Sequence, residues 1–243
     1  MLIINADDWG GWKPATDAAL ACHEAGRLGS VTAMVFMADS ERAACLAREH
    51  QIRAGLHLNL NLRFNGQLKS AVVRAHHERL IRFFGRGKYA QLIYQPWLGE
   101  SFRCVYRAQV EEFNRIYGQP PTHVDGHQHL HLCANMRAGR VIPAGQKVRR
   151  SFSFWPGEKS WLNRLYRRHV DRGLSRRYRV TDYFFSLRQC LGENRLERVA
   201  RLARDVNVEL MTHPEVKAEG DFLLGDAFHR TFAGVRMASY ANL

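Results

Sequence analysis

Short apolar runs closed by polar residues recur along the chain, at Leu2–Asn5, Val31–Met37, Ile52–Leu58, Thr122–Val124, Tyr183–Leu187 and Val208–Met211. Runs of this length without strict alternation are typical of strands buried on both faces of a parallel sheet. Val148–Phe154 is a weaker run of the same kind. Between them the spacing turns helical over Lys13–Ala25, Ser40–His50, Phe102–Tyr117 and Glu193–Asp205. Gly26 stops the first of these; Gly118, followed by Pro120-Pro121, stops the third. Leu196, Val199 and Leu202 make one stripe of the last. Strands alternating with helices predict an α/β fold of βα units around a parallel sheet. Their number suits a closed or nearly closed (β/α) TIM-like barrel, a single domain over residues 1–243. Two stretches break the rhythm, 65–98 and 155–180, and are read as insertions or lid segments.

The chemistry is expected where strands end. The first run leads into Asn5-Ala6-Asp7-Asp8-Trp9-Gly10. Adjacent like charges repel, so a fold keeps two acids there only if something compensates them; a bound cation is the simplest compensation. A helix N-cap explains one Asp but not both. The third run ends in Gly55-Leu56-His57-Leu58-Asn59-Leu60, and the last in Thr212-His213-Pro214. After Thr122 come His123, Asp125, His127, His129 and His131 within nine residues. A lone His57 is more often a hydrogen-bonded core histidine, and His213 before a proline can simply close a turn. Four histidines and an acid in one short segment are harder to assign to packing. Alternation puts His123, Asp125 and His127 on one face if the strand continues, although Gly126 can break that register. In a parallel barrel the carboxyl ends of the strands share one face, where active sites are built.

Composition narrows the alternatives. With 46% hydrophobic and 24% charged residues the chain is an ordinary globular one. No apolar stretch approaches the roughly 20 residues that span a bilayer. Nothing basic precedes the first strand, so no signal peptide and a cytoplasmic location are expected. Five dispersed cysteines without a CxxC pair argue for reduced thiols rather than a disulfide framework. The net charge of +13 is concentrated in seven arginines between Arg164 and Arg179, with a smaller cluster at Arg82, Arg86 and Lys88. Such a balance suits nucleic acid, an anionic surface or a phosphorylated ligand, or a solvated arginine-rich face.

The motifs Asn-Ala-Asp-Asp-Trp-Gly, Gly-Leu-His-Leu-Asn-Leu, His-Val-Asp-Gly-His-Gln-His-Leu-His and Thr-His-Pro, collinear from residue 2 to about residue 215, resemble the YdjC/ChbG family of carbohydrate deacetylases. The chain departs from the family pattern at Asn61–Gly66, at Glu215 and near its C-terminus, which bears on the substrate rather than on the metal site. The resemblance implies a distorted barrel and a metal-dependent hydrolase that removes an N-acetyl group from an amino sugar, oligosaccharide or glycolipid by metal-activated water. Carried over by position, Asp8, His57 and His127 hold the metal, Asp7 is the general base and His213 the acid. Asp125, Arg149, Arg150 and His129 are substrate or supporting contacts, with Arg149 or Arg150 orienting Asp7. Magnesium is the expected ion and zinc the alternative. The partner is an N-acetylated sugar, with a homo-oligomer compatible. Asp7→Asn is expected to cripple turnover with little loss of folding. Trp9, Trp12 and Trp97 are candidates to stack on sugar faces, with core packing the better reading for at least one of them. The competing readings are another barrel metallohydrolase, such as an amidohydrolase or phosphoesterase, and a basic nucleic-acid-binding protein.

Overall fold

The computed structural model describes residues 1–155, 157–192 and 194–243. Their strands are β1 (Leu2–Trp9), β2 (Ser30–Ala33), β3 (Ala54–Leu58), β4 (Val124–Gly126), β5 (Tyr183–Ser186), β6 (Val208–Thr212) and β7 (Met237–Ala238). The helices are α1 (Lys13–Glu24), α2 (Ser40–Glu49), α3 (Ala71–Phe84), α4 (Gly99–Tyr117), α5 (Ala134–Ala138), α6 (Trp161–Ser175), α7 (Leu187–Cys190), α8 (Arg195–Asp205), α9 (Lys217–Leu224) and α10 (Asp226–Thr231). The strand order is β4-β3-β2-β1-β6-β5, with β7 beside β1. The β1–β6, β5–β6, β3–β4 and β1–β7 pairings are parallel. The order has two ends, so the α/β sheet expected from the sequence is present in the distorted, incomplete form of the barrel. The chain divides into two compact units, Met1–Asp7 with Pro14–Val31 and Gly145–Leu243, and Asp8–Lys13 with Thr32–Ala144.

In the first unit, β1 pairs with β6 from Leu2↔Val208 to Ala6↔Thr212. Leu2, Ile3, Ile4, Val208 and Leu210 are fully buried, the result of apolar runs with no outward-facing set. Against them α8 turns Leu196, Val199, Ala200 and Ala203 inward. Glu193, expected at its start, lies outside the described residues, as does Pro156 in the stretch 155–180. Val148–Phe154 does not become a strand. Val148 N donates to Arg179 O and Ser153 N to Phe184 O, and an isolated bridge joins Lys147 to Arg179.

In the second unit, β3 and β4 align Leu56↔Val124, His57↔Asp125 and Leu58↔Gly126. Helix α4 buries Phe102, Val105, Phe113 and Ile116 and ends at Gly118, whose φ of 70° is the left-handed cap glycine makes cheap. The segment read as irregular, 65–98, carries a regular helix, α3. The Ser70 hydroxyl caps it by accepting from Val73 N at 3.3 Å, and His77, Leu80 and Phe83 form its buried stripe. The His77 ring stacks on Phe64 at 3.7 Å, and burial pushes its imidazole down to about 4. Trp9 is a core residue whose indole N–H donates to Ala43 O, whereas Trp97 is 75% exposed. Among the described residues no helix is long and apolar enough to cross a membrane.

Candidate metal centre

Three segments of the second unit bring donor atoms together. Asp8 closes β1 in the left-handed region, with φ of 59°. An L-residue adopts that backbone at a cost of about 1–2 kcal/mol, and such strain gathers at functional sites. The turn is held by Gly11 N, which donates to Asp8 O at 2.9 Å. His57 stands on β3, opposite Asp125 of β4, and His127 opens a short 3-10 segment, His127–Leu132. His57 Nε2 lies 3.2 Å and His127 Nδ1 3.1 Å from the same oxygen, Asp8 Oδ1.

Asp125 determines what the His57 ring can offer. It is fully buried, takes His57 Nδ1 at 2.8 Å on Oδ1, and accepts from the Thr32 hydroxyl at 3.0 Å on Oδ2. A carboxylate at Nδ1 keeps the proton there and leaves Nε2 as a lone pair, the arrangement that orients a ligating histidine. That lone pair then faces a carboxylate oxygen, two acceptors that need a cation between them. The Asp8, His57 and His127 donor atoms lie within 4.8 Å of one another and could hold a metal ion. One carboxylate and two imidazoles suit a transition metal or zinc and leave coordination positions open. Burial alone would raise the Asp8 carboxyl. Contacts with the His127 and His57 rings outweigh it and hold the group well below the usual carboxylate range.

The other histidines of the cluster do different work. The strand ends at Gly126, and Gln128 and His129 adopt left-handed φ of 52° and 59°, so alternation does not carry past Gly126. His123 is fully buried against β3, and a Cβ added to Gly55 would sit 2.4 Å from its ring. Gly55 is thus required by the close approach of an imidazole. His129 does not share the metal-ligand grouping of Asp8, His57 and His127; its ring lies 6.5 Å from that of His131.

The first unit holds the remaining expected residues. Arg149, with no exposed surface, grips Asp7 through both ends of its guanidinium, at 2.6 Å and 2.7 Å. Its Nε donates to Glu209 Oε1 at 2.7 Å, and the Tyr240 hydroxyl donates to Glu209 Oε2. Asn5 Nδ2 donates to Asp7 Oδ1 at 3.0 Å and the Phe184 ring lies 4.9 Å under the guanidinium. Arg150 points elsewhere, to Asp171 at 2.7 Å and Thr181 O at 3.1 Å. His213 follows β6, and its backbone N–H donates to Glu219 Oε2, which also accepts from the Thr212 hydroxyl, both at 2.9 Å.

Glu209, Tyr240 and Glu219 were not anticipated. Glu209 had a signal, a charged residue inside the apolar run Val208–Met211, which demands a buried cation. Tyr240 and Glu219 had none, since only the folded chain brings them near.

The family described as YdjC-like protein matches residues 1–236. A mouse carbohydrate deacetylase is 29% identical over 244 residues, covering 88% of this chain and 77% of its own. A chitooligosaccharide deacetylase of Proteus mirabilis is 33% identical over 135 residues, covering 54% and 50%, and a zebrafish carbohydrate deacetylase 29% over 139 residues, covering 56% and 44%. The chain thus spans about half the length of those last two relatives. In fold it is similar to an Enterococcus faecalis protein provisionally named for cellobiose-phosphate cleavage. That likeness has a TM-score of 0.65 at 18% identity, over 99% of this chain and 97% of the other. The acid pair ending β1, the β3 histidine and the histidine after β4 all fall inside the matched span, and the chain belongs to the YdjC-like family.

Proposed function

We propose that the chain is a metal-dependent carbohydrate deacetylase, cleaving an N-acetyl amide of an amino sugar or its oligomers to acetate and a free amine. The observation that carries this reading is the placing of His57, with Nδ1 2.8 Å from Asp125 Oδ1 and Nε2 3.2 Å from Asp8 Oδ1. Asp8, His57 and His127 are assigned as the ligands, and the names of the relatives supply the substrate class. A divalent ion held there supplies Lewis-acid polarisation of the amide carbonyl and lowers the pKa of a bound water. Asp7 takes a proton from the attacking water, with Arg149 fixing the plane of its carboxylate. His213 gives a proton to the departing nitrogen as the C–N bond breaks, its loop held by Glu219. The two-imidazole donor set favours zinc on ligand chemistry, while the family resemblance implies magnesium.

The test is acetate release from N-acetylglucosamine and its short oligomers, using chelator-stripped protein restored with magnesium or zinc. Release only after restoration is expected, with Asp8→Ala abolishing both metal uptake and release. A protein that binds the metal yet releases acetate from none of these sugars sinks the deacetylase reading. Metal analysis of the protein as isolated decides between the two ions.

A further inference from the structure

Helix α6 carries Arg164, Arg168, Arg172 and Arg176 at successive four-residue intervals, the last at its C-cap, so they form one ridge along the helix. Like charges at that spacing destabilise a helix. A solvated helix face usually interleaves acids to relieve them, and this ridge has no such relief. Asp171, the acid within the helix, is occupied by Arg150 at 2.7 Å and by the backbone and hydroxyl of Ser151 at 3.0 and 2.8 Å. Asp182 accepts from Asn207 N at 2.9 Å. Among the described residues the four ridge arginines make no ion pair.

The ridge borders a cavity of about 640 Å³, together with Arg150, Arg167, Phe152, Phe154 and Tyr183. Arg167 lies over the Phe154 ring at 4.8 Å, its Nε donating to Asn163 Oδ1 at 2.9 Å, so one wall is a guanidinium stacked on an aromatic. Guanidinium forks match phosphate oxygens two at a time, and a concave wall of one charge sign concentrates anions.

We propose that this cavity is a binding site for a multiply charged phosphate or pyrophosphate group, with Arg164, Arg168, Arg172 and Arg176 as its ligands. The site is separate from the deacetylase assignment and does not depend on it. The phosphate group belongs to a soluble ester or to a lipid headgroup. The second source draws on the exposed Trp161, Leu162, Leu165 and Tyr166 of the same helix, which suit a bilayer interface.

Isothermal titration of the full, metal-stripped chain with inorganic pyrophosphate tests it. Saturable binding is expected, weakened about 10-fold or more in Arg164→Gln/Arg172→Gln and in Arg168→Gln/Arg176→Gln. The variant Arg82→Gln/Arg86→Gln, which removes equal charge elsewhere, should bind as the parent does. Thermal unfolding should show the ridge variants no less stable than the parent, since each loses like-charge repulsion. Absence of binding overturns the proposal, as does equal weakening in all three variants. A short RNA that binds while pyrophosphate neither binds nor competes assigns the ridge to nucleic acid and likewise overturns it. If pyrophosphate binds, a vesicle arm names the source. Phosphatidic acid vesicles, whose phosphomonoester carries more than one charge, identify a headgroup if held by the same ridge and displaced by pyrophosphate; vesicles left unbound identify a soluble ester.

Discussion

Asp7 and Asp8 are adjacent in sequence, yet their carboxylates answer to different partners, one to a buried guanidinium and the other to two imidazoles. That division makes their substitutions distinguishable. On the proposed function Asp7→Asn should lower turnover by about 10²–10⁴-fold while leaving metal uptake in place. Because Arg149 is fully buried, it should also cost about 1–3 kcal/mol of stability, more than the sequence led us to expect. Arg149→Leu strands two buried carboxylates, and chemical denaturation should record a loss of about 3–5 kcal/mol. Gly55→Ala drives a Cβ into the His123 ring and should cost about 1–3 kcal/mol, again by denaturation. The ends of the apolar runs pointed to Asp7, Asp8, His57, His213 and the cluster His123–His131; within that cluster His127 came from the family resemblance. Which of Arg149 and Arg150 meets Asp7 could not be read, because neighbours on an extended segment face opposite ways and either parity was open.

Among the elements, α3 has the clearest titration behaviour. Its His77 imidazole sits near 4 when folded and 6.5 when free, so the unfolded chain binds the proton more readily. Stability from this group is complete above pH ~6.5 and declines as pH falls toward 4, by ~2 kcal/mol between pH 7 and 5. Urea denaturation at those two pH values should show that decline in the parent and its absence in His77→Phe; equal slopes remove His77 as the cause. Helix α3 escaped the sequence reading because its buried stripe includes a histidine, which a hydrophobicity pattern scores as polar. Helix α6 escaped for a related reason. Its buried face is only Val170, Asp171 and Leu174, too short a stripe to announce a helix. Strand β7 is two residues long and carries no periodicity at all.

At the scale of the molecule, the parallel α/β order was legible because buried strands and amphipathic helices alternate over most of the chain. What could not be read was closure between distant parts. Glu209 and Arg149 are 60 residues apart, and Tyr240 and Glu209 a further 31. Tyr240 is fully buried, and Lys147 Nζ also donates to its backbone carbonyl. Tyr240→Ala should therefore cost about 3–5 kcal/mol. Tyr240→Phe, which removes only the hydroxyl from Glu209, should cost about 1–3 kcal/mol, with thermal unfolding ranking the two. On the proposed function the milder variant should also lower turnover, through Arg149 and Asp7. The same chain of contacts sets an order in time. Asp7 is made well before Tyr240, which follows tens of seconds later at ~5–20 residues per second. Until then the carboxylate lacks its finished surroundings, so on the proposed function a nascent chain carries an unset Asp7 and stays silent until the segment with Tyr240 has been made and packed.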